Sequence, residues 1–418
     1  MTKTPPTRTP TTPTRIPPTP TQTRPTQASA LERAIEPVSA EQFLTEYWER
    51  KPLVVARDEE GRFDDLLSIA DVERLLCSGG LRYPSFRLVK AGEKLDVGSY
   101  TKSLPWRPTP FSGTAEVGRV LSEFEAGATL VLQGLHLTWR PLAEFCRALE
   151  RELEHPAQAN AYFTPSEAQG LPVHHDTHDV FSLQVAGEKR WLVYEPALEL
   201  PLKDQRYDSE RGAPGKPVED VTLRPGDTLY LPRGWLHKAM TSSSDSLHIT
   251  VGVNVYTWLD AFKAALEDCS DEVGFRRSPA GDADDLVEQL RSRLEPEEVE
   301  RRRRDRLVST RRPILGGQLS QIRALEDLTL DTQLERRPTV LFDLEGATIV
   351  FEGKRIAFPQ DAREDLEFLA VADEPFSAAD LPGDLDDKTR LVLVRRLVRE
   401  GFLRLREAAP RSGAGAEE

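Results

Sequence analysis

Leu171-Pro-Val-His-His-Asp-Thr-His-Asp-Val-Phe181 carries three of the chain's seven histidines and two of its acids. In an extended backbone, side chains two positions apart leave the same face, so His174 and Asp176 converge on one point. His178 shares that face and either lines a cleft beside them or takes a ligand's place; His175 points the other way and reads as a packed residue. A third ligand has to come from a distant segment, and Arg224-Pro-Gly-Asp-Thr-Leu-Tyr-Leu-Pro-Arg-Gly-Trp-Leu-His237 offers a histidine just after a turn. Two imidazoles and one carboxylate form the facial donor set that leaves open positions on Fe(II). Asp179 and His248 read as satisfied polar residues near a sheet. The three cysteines, Cys77, Cys146 and Cys269, are odd in number and never paired as C-x-x-C, so neither a disulfide framework nor a thiolate zinc site is expected.

Around this segment the pattern is β-rich. Short apolar runs at Val180–Val185, Arg190–Tyr194, Thr228–Leu231 and Leu247–Val255 are separated by turn chemistry at Ala186-Gly187 and Pro225-Gly226, which predicts a barrel or a double-sheet jelly roll. Upstream, Pro52–Ala56, Phe86–Val89, Thr129–Leu132 and Asn160–Thr164 read as strands, with a helix over Pro141–Leu153. Order is expected to begin near Ser39, which forms a capping box with Gln42. Downstream of Trp258 the period becomes helical over residues 259–335, including the charge block Glu297–Arg306 behind Pro296. From Thr339, turns at Glu345-Gly346 and Glu352-Gly353 separate three short strands, Ser377 caps a short helix, and Asp386–Glu400 is a strong helix ended by Gly401. That order predicts a small unit of winged-helix type.

The expected organisation is a Pro/Thr-rich tail over 1–29, a β-rich catalytic domain over 30–258, a helical region over 259–335, a winged-helix domain over 336–408 and a second tail over 409–418. The first segment holds 8 of the 32 prolines and no acid, so it has no means to form a core. Its four bases leave the rest of the chain more acidic than the whole, whose formal net charge is -14. Wholesale attraction to nucleic acid or anionic lipid is therefore not expected, while a basic protein partner or simple solubility is. The arginine block reads as a solvated helix face or a subunit contact, and the modestly basic helix 386–400 as a protein contact rather than a sequence-specific nucleic-acid reader. With no apolar run long enough for a membrane helix and no h-region, a cytoplasmic protein is expected.

Gly226-(x5)-Pro232-x-Gly234-x-x-His237 is similar to the second cupin motif, with Thr241 where that pattern often has Asn. Together with Asn160-Ala-Tyr162, Gly170-Leu-Pro-Val-His174-His-Asp176 and Val180-Phe-Ser-Leu-Gln-Val-Ala-Gly-Glu-Lys189-Arg-Trp191, it makes the chain resemble the JmjC-domain ribosomal oxygenases of the cupin superfamily. The likeness extends more loosely over residues 37–408. It implies an α+β chain built on a double-stranded β-helix (cupin/JmjC jelly roll), then a helical dimerisation region and a C-terminal winged helix. It implies a 2-oxoglutarate-dependent dioxygenase that hydroxylates a protein side chain, His or Arg, of a basic ribosomal protein, with Fe(II), 2-oxoglutarate and O2 as cofactors, acting as a homodimer. By that resemblance His174, Asp176 and His237 are the catalytic metal ligands, Lys189 holds the far carboxylate of 2-oxoglutarate, and Asn160, Tyr162 and Thr250 supply further contacts to it. Lys rather than Arg at 189 leans toward a histidyl target. Gln184, on the strand face of Ser182, is a contact either behind the site or with the substrate. The same reaction on a small molecule, a peptide precursor or a methylated lysine, and a non-catalytic metal-binding cupin, remain the alternatives.

Overall fold

The structure, a computed structural model, describes residues 29–57, 59–78, 80–105, 109–208 and 214–406. Both expected tails fall outside them, apart from Ser29. Order begins earlier than Ser39. Ser29 caps the helix Ala30–Ile35 by accepting the Glu32 N–H, and its own hydroxyl reaches Glu152 at 2.6 Å. This helix is too short for a periodicity argument, yet Leu31, Ala34 and Ile35 are buried.

The β-rich part comprises β1 (Leu53–Val55), β2 (Phe86–Lys90), β3 (Glu93–Lys94), β4 (Thr101–Leu104), β5 (Phe111–Ala115), β6 (Thr129–Leu132), β7 (Ala157–Thr164), β8 (Asp179–Ala186), β9 (Lys189–Tyr194), β10 (Glu219–Leu223), β11 (Thr228–Leu231), β12 (Leu236–Met240) and β13 (Ser246–Val253). One large sheet runs β1-β11-β8-β13-β7-β6-β2-β3 and a smaller one β10-β9-β12. Their inner faces meet through Trp191, Val193, Leu223, Leu229, Leu231 and Ala239, giving the double-sheet jelly roll that the turn spacing predicts and the double-stranded β-helix that the resemblance implies. The outer face of the large sheet packs on helices, among them Arg140–Leu153, over a core that holds Phe181, Leu183, Ile249, Val251 and Phe145. Strands β10 and β12 have no counterpart in the sequence reading, because Glu219-Asp-Val-Thr-Leu223 and Leu236-His-Lys-Ala-Met240 mix polar residues into short runs.

Beyond the barrel come the helices Trp258–Asp268, Asp284–Ser292, Pro296–Thr310 and Gln318–Ala324. The arginine block is engaged in ion pairs: Arg302 with Asp268 and Glu298, Arg303 with Glu154 and Glu300, Arg304 with Asp343, and Arg306 with Asp260. The C-terminal part has β14 (Leu334–Arg336), a meander of β15 (Phe342–Glu345), β16 (Thr348–Phe351) and β17 (Lys354–Ala357), and β18 (Leu403–Leu405) paired with β14. Helix Asp387–Glu400, capped by Asp386 and closed by Gly401 at φ 83°, packs Val394, Leu397 and Val398 into a second core. Helix Arg363–Val371 is an addition to the predicted order. Among the described residues no helix is long and apolar enough to cross a membrane.

Candidate active site

His174 does not lie on a continuous strand. The segment from Leu171 to His178 is irregular, with a single β-bridge, from His174 to His237 on β12. His174 N–H donates to the His237 carbonyl at 3.1 Å and His237 N–H returns a bond of 2.8 Å. The two imidazoles therefore stand side by side, ring centroids 4.4 Å apart. Each ring has its Nδ1 at a carbonyl two residues before it, Pro172 at 2.8 Å for His174 and Trp235 at 3.0 Å for His237. A proton held on Nδ1 by a carbonyl leaves Nε2 with its lone pair free, the tautomer a metal ligand requires. The Nε2 of His237 is 3.7 Å from Asp176 Oδ2, and ligand atoms of His174, Asp176 and His237 all lie within 4.8 Å of one another. Burial pushes the Asp176 carboxyl up, but the surrounding imidazoles His178, His237, His174 and His175 outweigh it and hold its pKa below the usual range. Burial, with His174 adding to it, brings His237 down to about 4, so this imidazole is neutral at physiological pH.

The triad sits on one side of a cleft between the two sheets. Strand register decides what else faces it. Arg87, Val131, Tyr162 and His248 lie directly opposite one another across β2, β6, β7 and β13; Asn160, Thr250 and Ser182 form the next row. All of these line the cleft, while the residues between them point into the core behind the sheet. Asn160 accepts the Gly134 N–H at 3.0 Å through Oδ1, and Thr250 and Arg87 reach the Tyr162 hydroxyl. From the smaller sheet, Lys189 and Trp191 alternate inward on β9.

Lys189 is 2% exposed, and its ammonium donates to Thr164 Oγ1 at 2.9 Å. No carboxylate pairs with it among the described residues, and burial brings its pKa down to about 7. Other buried polar atoms along the same cleft lack partners: Ser182 Oγ, Trp191 Nε1, His248 Nδ1 and Arg87 Nη1. Native interiors satisfy such groups, so this set fits a polar, anionic molecule seated between Lys189 and the triad. The two imidazoles and the carboxylate likewise fit a divalent first-row metal.

The other histidines and acids separate as follows. His175 packs edge-on to Tyr207 and contacts the Gln205 carbonyl, away from the triad. His178 lines the cleft against Gly252, where an added Cβ would come within 2.1 Å of its ring. Asp179 is buried under Tyr230 and Arg233, and burial lifts its pKa to about 6. Gln184 is wholly buried and donates to Ala186, Gly187 and Ser246, which secures the turn that delivers Lys189. Thr241 ties the loop before the triad down, its hydroxyl between the carbonyls of Pro165 and Ala168. Sequence reading missed Arg87 as a cleft residue, because its facing is set by the pairing of β2 with β6. It also underrated His248, which stacks on Tyr162 at 5.0 Å and 7° and abuts Trp191.

The double-stranded β-helix thus gathers two imidazoles and a carboxylate at one cleft. Residues 135–261 match the JmjC domain family model. It is 33% identical over 222 residues to the bifunctional lysine-specific demethylase and histidyl-hydroxylase NO66 of Drosophila persimilis, covering 53% of this chain and 31% of that protein. It is 33% identical over 220 residues to ribosomal oxygenase 1 of Gallus gallus (52% and 35%) and over 237 residues to ribosomal oxygenase 2 of Rattus norvegicus (54% and 47%). The chain thus matches about a third to a half of the length of these relatives. Its fold is similar to that of the Escherichia coli ribosomal oxygenase YcfD in complex with cobalt and 2-oxoglutarate, with a TM-score of 0.53 at 19% identity, covering 88% of this chain and 98% of that one.

Proposed function

We propose that this chain is an Fe(II)- and 2-oxoglutarate-dependent oxygenase that hydroxylates a protein side chain, His or Arg, with a basic ribosomal protein as the partner and the cytoplasm as its setting. The observation that carries this reading is the convergence of His174, Asp176 and His237 across a cleft from a buried lysine that no carboxylate among the described residues pairs with. His174, Asp176 and His237 would hold the metal; Lys189 would pair with the far carboxylate of 2-oxoglutarate, with Asn160, Tyr162 and Thr250 as further donors. When bound, iron and 2-oxoglutarate supply the oxidising chemistry, in which O2 and the co-substrate are converted to succinate, CO2 and a hydroxyl inserted into a target C–H bond. The chain's own contribution is to hold the proton of both histidines on Nδ1 so that each Nε2 is free, offer Lys189 a single polar partner among the described residues so that it is left for an anion, and wall the cleft with Trp191, Val131 and Leu231 against water.

The relatives named as ribosomal oxygenases support the protein-substrate reading, and the acidic charge of the chain suits a basic target. We further propose that helix Trp258–Asp268 forms a homodimer interface, because Trp258, Leu259, Phe262 and Leu266 are all exposed on it, and that the C-terminal unit is of winged-helix type. The test is succinate formation from 2-oxoglutarate by iron-reconstituted protein, with and without ribosomal proteins, followed by a search for +16 mass shifts. Turnover lost in His174→Ala supports the reading; absence of turnover from the wild type rejects it.

A further inference from the structure

Arg87 is a second basic side chain of the cleft beside Lys189, and beyond reaching the Tyr162 hydroxyl it has no task in the proposed reaction. It projects from β2 on the row that ends at Tyr162 and His248. Its Nε is taken by Gln133 at 2.6 Å, whereas its Nη1 is buried and unpartnered, on a residue that lines the cleft. Among the described residues no carboxylate pairs with Arg87, and Asp176 is the one acid along the cleft wall. A divalent metal and a dicarboxylate would cancel one another, so the loaded cleft keeps one more cation than anions. That excess resides at Arg87, because Lys189 and Asp176 each have an assigned opposite charge.

Resting on the oxygenase reading above, we propose that Arg87 sets the charge of the target: the cleft accepts an uncharged side chain able to accept a hydrogen bond, such as an imidazole or a carboxamide, and turns away guanidinium and ammonium groups. The free Nη1 donor would meet a neutral acceptor directly, while a second cation in that low-dielectric wall is repelled and finds no carboxylate to offset the loss. This separates targets that the triad alone treats alike, including arginine and methylated lysine.

The experiment uses the full chain loaded with Mn(II) and N-oxalylglycine, a non-reacting analogue of the co-substrate, to select from a displayed library of random twelve-residue peptides. Wild type, Arg87→Gln and Arg87→Glu are compared, with N-oxalylglycine binding measured for each by calorimetry. At the residue common to the retained peptides, wild type is expected to deplete Arg and Lys at least tenfold, Arg87→Gln to lose the depletion and Arg87→Glu to invert it. Equal Arg and Lys content in all three, or no selected position in wild type, overturns the inference. Should Arg87→Glu not fold, persistence of the depletion in Arg87→Gln overturns it equally. Failure of wild type to bind N-oxalylglycine would instead sink the oxygenase reading beneath it.

Discussion

His174 and His237 are direct cross-strand neighbours that exchange both backbone hydrogen bonds, and each ring is held by the carbonyl two residues before it. Two imidazoles far apart in the chain are thus brought side by side by main-chain geometry. Because the bridge uses no side-chain atom, His174→Ala should leave the circular dichroism spectrum unchanged. It should weaken Fe(II) or Mn(II) binding by at least tenfold in calorimetry. A spectrum that collapses in the apo protein would mean the imidazoles, not the backbone, hold the segment in place.

Lys189 predicts a pH dependence with a definite sign. Its pKa of about 7 in the fold, against an ordinary 10.5, means the folded chain binds fewer protons than the unfolded one between those values. Its contribution to stability therefore rises as pH goes from about 7 toward 10.5, and the buried ammonium is costly below 7. Pairing with a dicarboxylate needs the charged form, so 2-oxoglutarate binding should take up a proton and weaken by up to tenfold per pH unit above 7. Lys189→Met should raise the melting temperature at pH 6 by several degrees while abolishing 2-oxoglutarate binding and sparing the metal. Calorimetry in buffers of different ionisation enthalpy reads the proton uptake.

Gly252 and His178 form a pair that a double-mutant cycle can test. On β13, glycine is required because a Cβ there would fall 2.1 Å from His178 Cδ2 and 2.4 Å from its Nε2. Gly252→Ala should cost about 1–3 kcal/mol by overpacking. It should also displace the His178 ring from the cleft and lower 2-oxoglutarate turnover. In the His178→Ala background the same substitution should cost a few tenths of a kcal/mol in urea unfolding, since the obstacle is gone.

These cases show how far the sequence reached. His174 and Asp176 were legible because two positions separate them, and His237 because the run from Gly226 to His237 has fixed spacing. The extended-strand reasoning behind the first pair was nevertheless replaced by an irregular segment pinned at one bridge. Arg87 and His248 were not legible as cleft residues, because their facing depends on the pairing of Arg87 with Val131, Val131 with Tyr162, and Tyr162 with His248, none of which is local. Gly252 falls in the same class: only the fold brings His178 against it. Helix Ala30–Ile35 escaped for a different reason, since six residues offer less than two turns of periodicity.

Glu352 binds the barrel to the C-terminal part. Its carboxylate, wholly buried, accepts from Arg147 on helix Arg140–Leu153 at 2.6 Å and pairs with Arg337. Arg147 also pairs with Glu150, which in turn accepts the N–H of Ala157 at the start of β7. Removing one member of such a buried set leaves uncompensated charge, so Glu352→Gln should cost about 3–5 kcal/mol. Hydrogen exchange in helix Arg140–Leu153 should quicken with it. A stability change below about 1 kcal/mol would show that solvent reaches the cluster.

Helix Trp258–Asp268 turns Ala261 and Ala265 inward and leaves Trp258 66%, Phe262 43% and Leu266 49% exposed. That is an amphipathic helix with small residues toward the body of the protein and large apolar ones outward, the reverse of what solvent favours. A second copy covering this face would bury the three side chains together. Trp258→Asp with Phe262→Asp should convert a dimer into a monomer in light scattering. Its monomeric unfolding transition should be unchanged, because neither side chain supports the core. If the wild type is already monomeric at tens of micromolar, this face has another occupant and the dimer proposal is wrong.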